Sequence, residues 1–296
     1  MDKPLVRLML WLGLMVVCTL AAMGIWLIVF NGSQTTEGLK WLQFLQTVGT
    51  FLLPAILGAW IWSRNHKPFV WLRLNRTFSW QIALMAVATM ICAVPGINLL
   101  ADLNSHVNLP ESLDFIEQIL RQQEEAAALL TERFLQADNI GVLLVNVGLL
   151  ALLPALAEEI SFRGTLQQMI AKNDAISCSD SLKSHRCTTV AIWLTAFIFS
   201  AIHMQFYGFI PRMLMGAMFG YVFVWTGSLW VPVLMHATNN GLAVISYYLL
   251  GAETGNKTWA DTIGTGTMWW LGIISLCATI TLLYYIFHLS KQSKLL

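Results

Sequence analysis

Residues 149–168 read LLALLPALAEEISFRGTLQQ. The first nine are apolar, as a helix in lipid requires, and then Glu158, Glu159 and Arg163 appear where hydrocarbon penalises charge. Such a helix has to sit in a bundle that shields its polar face. The rest of the chain agrees: of 296 residues, 57% are hydrophobic and only 11% are charged. Mean hydropathy is +0.64. A water-soluble domain carries roughly a quarter charged residues, so this chain has too few to cover a surface in water. It reads as an all-α integral membrane protein. No basic tract suggests nucleic acid as a partner, and membrane lipid is the partner that the composition implies.

Spanning hydrocarbon takes about 20 apolar residues as a helix. Runs of that kind fall at approximately 8–30, 42–62, 78–100, 140–170, 189–207, 209–226, 229–250 and 267–288. The expectation is a polytopic bundle of about eight transmembrane helices. Three segments follow: N-terminal helices with an extracytoplasmic amphipathic helix over 1–139, a helical core over 140–250, and a last helix with a cytoplasmic tail over 251–296. With the N-terminus inside, eleven Lys and Arg lie on the inner segments and four on the outer. That bias places both termini in the cytoplasm and fits a bacterial inner membrane. Cys18, Cys92 and Cys277 lie in apolar runs, and Cys178 and Cys187 flank His185 in a polar loop, where free thiols are expected, with a disulfide as the alternative to them and a metal site disfavoured.

One outer segment differs. Residues 110–137 begin at Pro110, which suits a helix start. Leu113, Ile116, Leu120, Ala127, Leu130 and Phe134 recur at helical spacing, opposite Glu117, Glu124, Glu125 and Glu132. The segment reads as an acidic helix on the bundle or membrane surface, with a lid over a lateral opening as the sharper alternative.

Three spans carry polar groups. Glu159 and Arg163 are four apart and can pair on one face, whereas Glu158 is rotated about 100° away. The fifth span ends with Phe199 and His203 four apart, and the seventh sets His236 and Asn240 four apart. At 1.5 Å per residue, Glu158 and His203 lie about 20 Å from the inner boundary and His236 and Asn240 about 10–17 Å, so the four can meet in one pocket. Each alone reads as well as a helix-to-helix hydrogen bond. Together, a carboxylate, two imidazoles and an amide are the inventory for activating water and stabilising an oxyanion.

At these residues the chain resembles the CPBP family of intramembrane proteases, which includes the CAAX prenyl endopeptidases. The family's three motifs appear in order as Glu158-Glu159-Ile160-Ser161-Phe162-Arg163, then Phe199 to His203, then His236 to Asn240, with Phe162-Arg163-Gly164 fitting the usual continuation. The resemblance covers about residues 140–245. It implies a helical bundle and peptide-bond hydrolysis in the membrane, with a membrane-embedded or lipidated peptide or protein as the partner. Glu158 with His203 would activate the water, His236 and Asn240 would hold the oxyanion, and Glu159 and Arg163, beside Phe199, would support the site. A glutamate hydrolase without metal is favoured. In the alternative, Glu158, His203 and His236 hold zinc as two His and one carboxylate. A proton-coupled transporter and a non-catalytic scaffold are the competing classes.

Overall fold

The computed structural model describes residues 4–63, 67–171, 181–251 and 259–292. It is all helical. The long elements are α1 (Pro4–Val29), α2 (Thr36–Trp62), α3 (Trp80–Ser105), α4 (Asp114–Leu135), α5 (Ile140–Ala171), α6 (Ser181–Ala201), α7 (Phe209–Thr226), α8 (Trp230–Leu250) and α9 (Trp269–Gln292). Among the described residues, six helices are long and apolar enough to cross a membrane. The other two expected spans differ for a physical reason. The apolar part of α6 is short, Arg186–Ala201, and α8 is diluted by His236, Thr238, Asn239 and Asn240. Those two helices carry the polar groups of interest.

The core sits around α5. It packs against α2, α6, α7 and α8, and every residue from 159 to 169 is buried. Two stretches of α5, Val147–Leu152 and Ile160–Gln167, are wound as π-helix, a geometry that concentrates at functional sites. The wider turn is visible at Thr165, whose hydroxyl donates to the carbonyl of Ile160 five residues back. Buried side chains of α5 bond to its neighbours: Ser161 donates to Phe51 O at 2.6 Å and Gln167 to Gly220 O at 3.2 Å. Trp11, Trp62, Phe162, Leu166, Met169 and Phe199 form one apolar cluster beside it. On the far side, α3 and α9 pack along their length. Pro95 interrupts the α3 ladder there, and the Ser275 hydroxyl enters the gap, accepting from Gly96 N and donating to Cys92 O.

The acidic segment is helical from Asp114, after a short 3-10 turn at Glu111–Leu113, rather than from Pro110. Only Phe134 and Leu135 are buried in it, while Phe115, Ile116, Ile119, Leu129 and Leu130 remain exposed. Polar contacts tie it down: Arg133 donates to Gln34 O, and Tyr207 N donates to Glu124. Cys18, Cys92 and Cys277 are free thiols. Cys187 is disulfide-bonded, which corrects the free thiol expected there. Cys178 lies outside the described residues.

Candidate active site

The buried second half of α5 delivers two adjacent carboxylates into the bundle, and they meet different surroundings. Glu159 is fully buried, and its Oε1 accepts from Arg163 Nη1 at 2.7 Å and from His236 Nδ1 at 2.8 Å. Arg163 also donates through Nη2 to Gly216 O at 2.9 Å. Its guanidinium lies over the rings of Phe199 and Phe219, with 4.6 and 5.4 Å to the centroids. A charge-assisted, aromatic-lined pair of this kind is how a buried arginine is held. Gly216 and Gly220 of α7 make it possible. A Cβ at Gly216 would press on Phe199 and Ala196, and one at Gly220 would come within 2.8 Å of Gln167.

His236 is the hub. Because the Glu159 carboxylate can only accept, Nδ1 carries the proton of that bond. Nε2 then faces Glu158 Oε2 at 3.9 Å. That separation is too long for a direct hydrogen bond and invites a bridging water or a substrate atom. The His236 ring stacks on Phe219 at 5.4 Å and meets the edge of Phe199 at 6.0 Å, so its orientation is fixed by rings and carboxylate together. Glu158, unlike Glu159, is not fully buried, its side chain keeping 13% exposure.

His203 does not lie on the helix as expected. Helix α6 ends at Ala201, and His203 occupies the following turn, ahead of Met204 at φ +54°. Its Nδ1 bonds to Phe199 O at 2.7 Å. A carbonyl only accepts, so Nδ1 is protonated and the neutral ring keeps its lone pair on Nε2. Phe199 sits between the two histidines, 5.1 Å from His203 and 6.0 Å from His236. Asn240, one turn beyond His236, donates to Leu150 O at 3.4 Å and accepts from Asn239 at 3.2 Å. The three helices therefore bring Glu158, Glu159, Arg163, Phe199 and His236 into contact, with His203 and Asn240 at the two flanks.

Among the described residues no three His, Cys, Asp or Glu side chains, Glu158, His203 and His236 included, are grouped to hold a metal.

With this geometry in place, the comparison with known families becomes specific. Residues 140–242 match the family model described as Type II CAAX prenyl endopeptidase Rce1-like. That segment is similar to the CAAX prenyl endopeptidases that the model describes. Its limits enclose the central helix and every group just described. No curated protein and no solved structure matches the chain. The matched segment also contains site residues that the motif reading passes over. Phe219 stacks on His236, Gln167 and Gln168 bond across the bundle, and Arg212 stands at the start of α7. Arg212 had a signal in the sequence, a cation inside a predicted span. Phe219 had none, since one phenylalanine in an apolar helix looks like another.

Proposed function

We propose that this protein is an intramembrane endopeptidase that hydrolyses a peptide bond of a membrane-associated, lipidated substrate without a metal. The observation that carries this is the 3.9 Å gap between Glu158 Oε2 and His236 Nε2, placed beside His203 in a domain similar to CAAX prenyl endopeptidases. Glu158 takes the proton of a water, assisted by the Nε2 lone pair of His203. The hydroxide adds to the scissile carbonyl. When Nε2 of His236 is protonated, it donates to the oxyanion, and Glu159 carries the counter-charge through Nδ1. The Asn240 amide, one turn away, is the second donor once it leaves Leu150 O. Collapse of the tetrahedral species returns the proton from Glu158 to the leaving amine. General acid–base and oxyanion contributions of this kind are each worth about 10²–10⁴-fold. Purified protein in nanodiscs should cleave an S-farnesylated peptide, and Glu158→Gln and His203→Ala should each lower kcat by at least about 10²-fold with unchanged thermal unfolding. Full activity in both variants would sink the assignment.

The membrane setting is part of the proposal. The Lys and Arg count favours both termini in the cytoplasm of a bacterial cell, whereas the disulfide at Cys187 belongs to an oxidising compartment. The two signals oppose each other. Impermeant maleimide labelling of intact cells at Gln292→Cys, with Cys18, Cys92 and Cys277 replaced, decides between them. Protection means a cytoplasmic C-terminus.

A further inference from the structure

The chain between α2 and α3 is built around one buried side chain. Pro68 opens a single helical turn, Pro68–Trp71, and Leu72 then enters the bundle among Ala55, Ala59, Ile160, Phe223 and Leu229. To leave again, the backbone turns at Arg73 with φ +59°, a left-handed conformation that favours glycine or asparagine. Neighbouring groups hold the carbonyls on either side of that turn. Gln168 of α5 donates to Trp71 O at 3.1 Å, and Leu229 N donates to Arg73 O at 3.4 Å. Trp230 Nε1 donates to Leu74 O at 2.8 Å, and the Ser228 hydroxyl to Arg76 O at 2.7 Å. These contacts fix the backbone through its main chain, and none of them needs an arginine side chain at 73. A strained residue that is not glycine points to a task for its side chain.

That side chain has a companion but no counter-ion. Arg73 and Arg76 are both exposed. Among the described residues, the carboxylates outside α5 are Glu37, those from Asp102 to Asp138, and Asp261. Glu37 lies at the start of α2 and Asp102 at the end of α3, and Asp261 lines a cavity with Asp102, so these belong to the opposite end of the bundle. The Arg73 guanidinium lies 5.7 Å from the Phe223 ring centre, near the C-terminus of α7, where a cation is favoured. That contact accounts for one charge of the two. Desolvation by burial, and then the like charge of Arg76, lower the Arg73 pKa, so the two cations are near enough to repel. Phe69, Trp80 and Trp230 flank the segment and are exposed, and the segment joins two membrane spans. Aromatic rings at the end of a span sit at headgroup depth. Two neighbouring cations there, without a carboxylate, are complementary to a phosphate whose own chains run into the bilayer.

We propose that Arg73 and Arg76 together hold the phosphate of an anionic phospholipid, whose acyl chains lie along the exposed aromatic rings beside them. The site is independent of the endopeptidase reading. The test follows thermal unfolding of the full-length protein in dodecylmaltoside micelles. Four additions are titrated: dioleoylphosphatidylglycerol, dioleoylphosphatidylcholine, inorganic phosphate and poly-glutamate. Phosphatidylglycerol should raise the unfolding midpoint saturably, and the other three should leave it unchanged. Arg73→Gln with Arg76→Gln should weaken the apparent Kd for phosphatidylglycerol by at least about tenfold. Arg73→Gly, which relieves the left-handed turn and so keeps the fold, should weaken it in the same direction. Removing the same charge from α6 and α9, as Arg186→Gln with Lys291→Gln, should leave the Kd within about twofold. No response to phosphatidylglycerol, an equal response to phosphatidylcholine, or an undiminished response in both Arg73 variants overturns the site. An equal loss in the Arg186 and Lys291 pair means diffuse attraction and overturns it as well. A shift with inorganic phosphate means a free-anion site, and one with poly-glutamate means an acidic protein partner. Either of these overturns the lipid assignment.

Discussion

Helix α1 and the second half of α5 are both membrane helices, built on opposite logic. In α1 the most apolar window has a mean hydropathy of 2.5 and only 11% of it is buried by protein. Trp11, Ala22 and Trp26 are its fully buried side chains, and the others are half-buried or exposed. In α5, residues 159–169 are all buried, and they include Glu159, Ser161, Arg163, Thr165, Gln167 and Gln168. Lipid accepts a side chain with no polar demands. A site enclosed by protein accepts polar ones provided every donor and acceptor finds a partner. Polar side chains are thus tolerated on the stretches that protein encloses, and in the second half of α5 polarity marks the inside.

The largest way to break that contrast is to leave one charge of the α5 pair alone. Arg163→Leu removes the cation from the fully buried Glu159 carboxylate and leaves it only the bond from His236. Breaking a buried pair from one side costs about 3–5 kcal/mol, so thermal unfolding in detergent should shift sharply downward. Adding Glu159→Gln in the same chain should recover much of the loss, because the uncompensated charge is gone. On α1, Leu20→Ala at 67% exposure should change stability by no more than about 0.5 kcal/mol. A cost for Leu20→Ala equal to that for Arg163→Leu would remove the distinction between the two helices.

A middle-sized effect separates their glycines. A Cβ at Gly220, which faces α5 and α6, would lie 2.8 Å from Gln167 Oε1 and 2.9 Å from Ile192 Cγ2. Gly220→Ala should therefore cost about 1–3 kcal/mol through overpacking and lower activity by loosening the wall that holds Arg163. A Cβ at Gly24 of α1 meets nothing within 4 Å. Gly24→Ala should be neutral or stabilising by up to about 1 kcal/mol, from helix propensity alone. Unfolding midpoints of the two variants in the same detergent check the pair.

The same contrast explains what could be read from the sequence. Carboxylates, histidines and an arginine interrupting apolar runs are visible because they violate the demands of lipid, and Glu158, Glu159, Arg163, His203, His236 and Asn240 all announce themselves in that way. Spacing of four correctly implied the Glu159–Arg163 contact. It misplaced His203, because a chain that turns at Ala201 and takes φ +54° at Met204 leaves no periodic trace. It also could not reveal that His236 binds Glu159 as well as facing Glu158, since that is decided by how α8 is rotated against α5. Glycines that admit a guanidinium, and the phenylalanine that holds an imidazole, obey the lipid rule and so stay silent.

The smallest effect belongs to α4, whose charges face water. Glu117 Oε2 accepts from Leu109 N at 2.8 Å, and Oε1 accepts from Arg121 at 2.7 and 2.9 Å. The backbone N–H of Leu109, followed by the Arg121 side chain, holds the Glu117 carboxyl below the ordinary carboxylate range. A carboxyl whose folded pKa is depressed contributes stability above its unfolded pKa and loses it as pH falls through the folded one. The turn joining residue 109 to α4 should therefore stay protected from amide exchange at pH 5 to 7 and open below the usual carboxylate range. Glu117→Gln should flatten that dependence. Salt should weaken the Arg121 part of the effect, since the pair lies in water, and should leave the Glu159–Arg163 pair untouched. Equal salt sensitivity at both pairs would mean that water reaches the buried half of α5, and the difference between the two regions would then be one of sequence only.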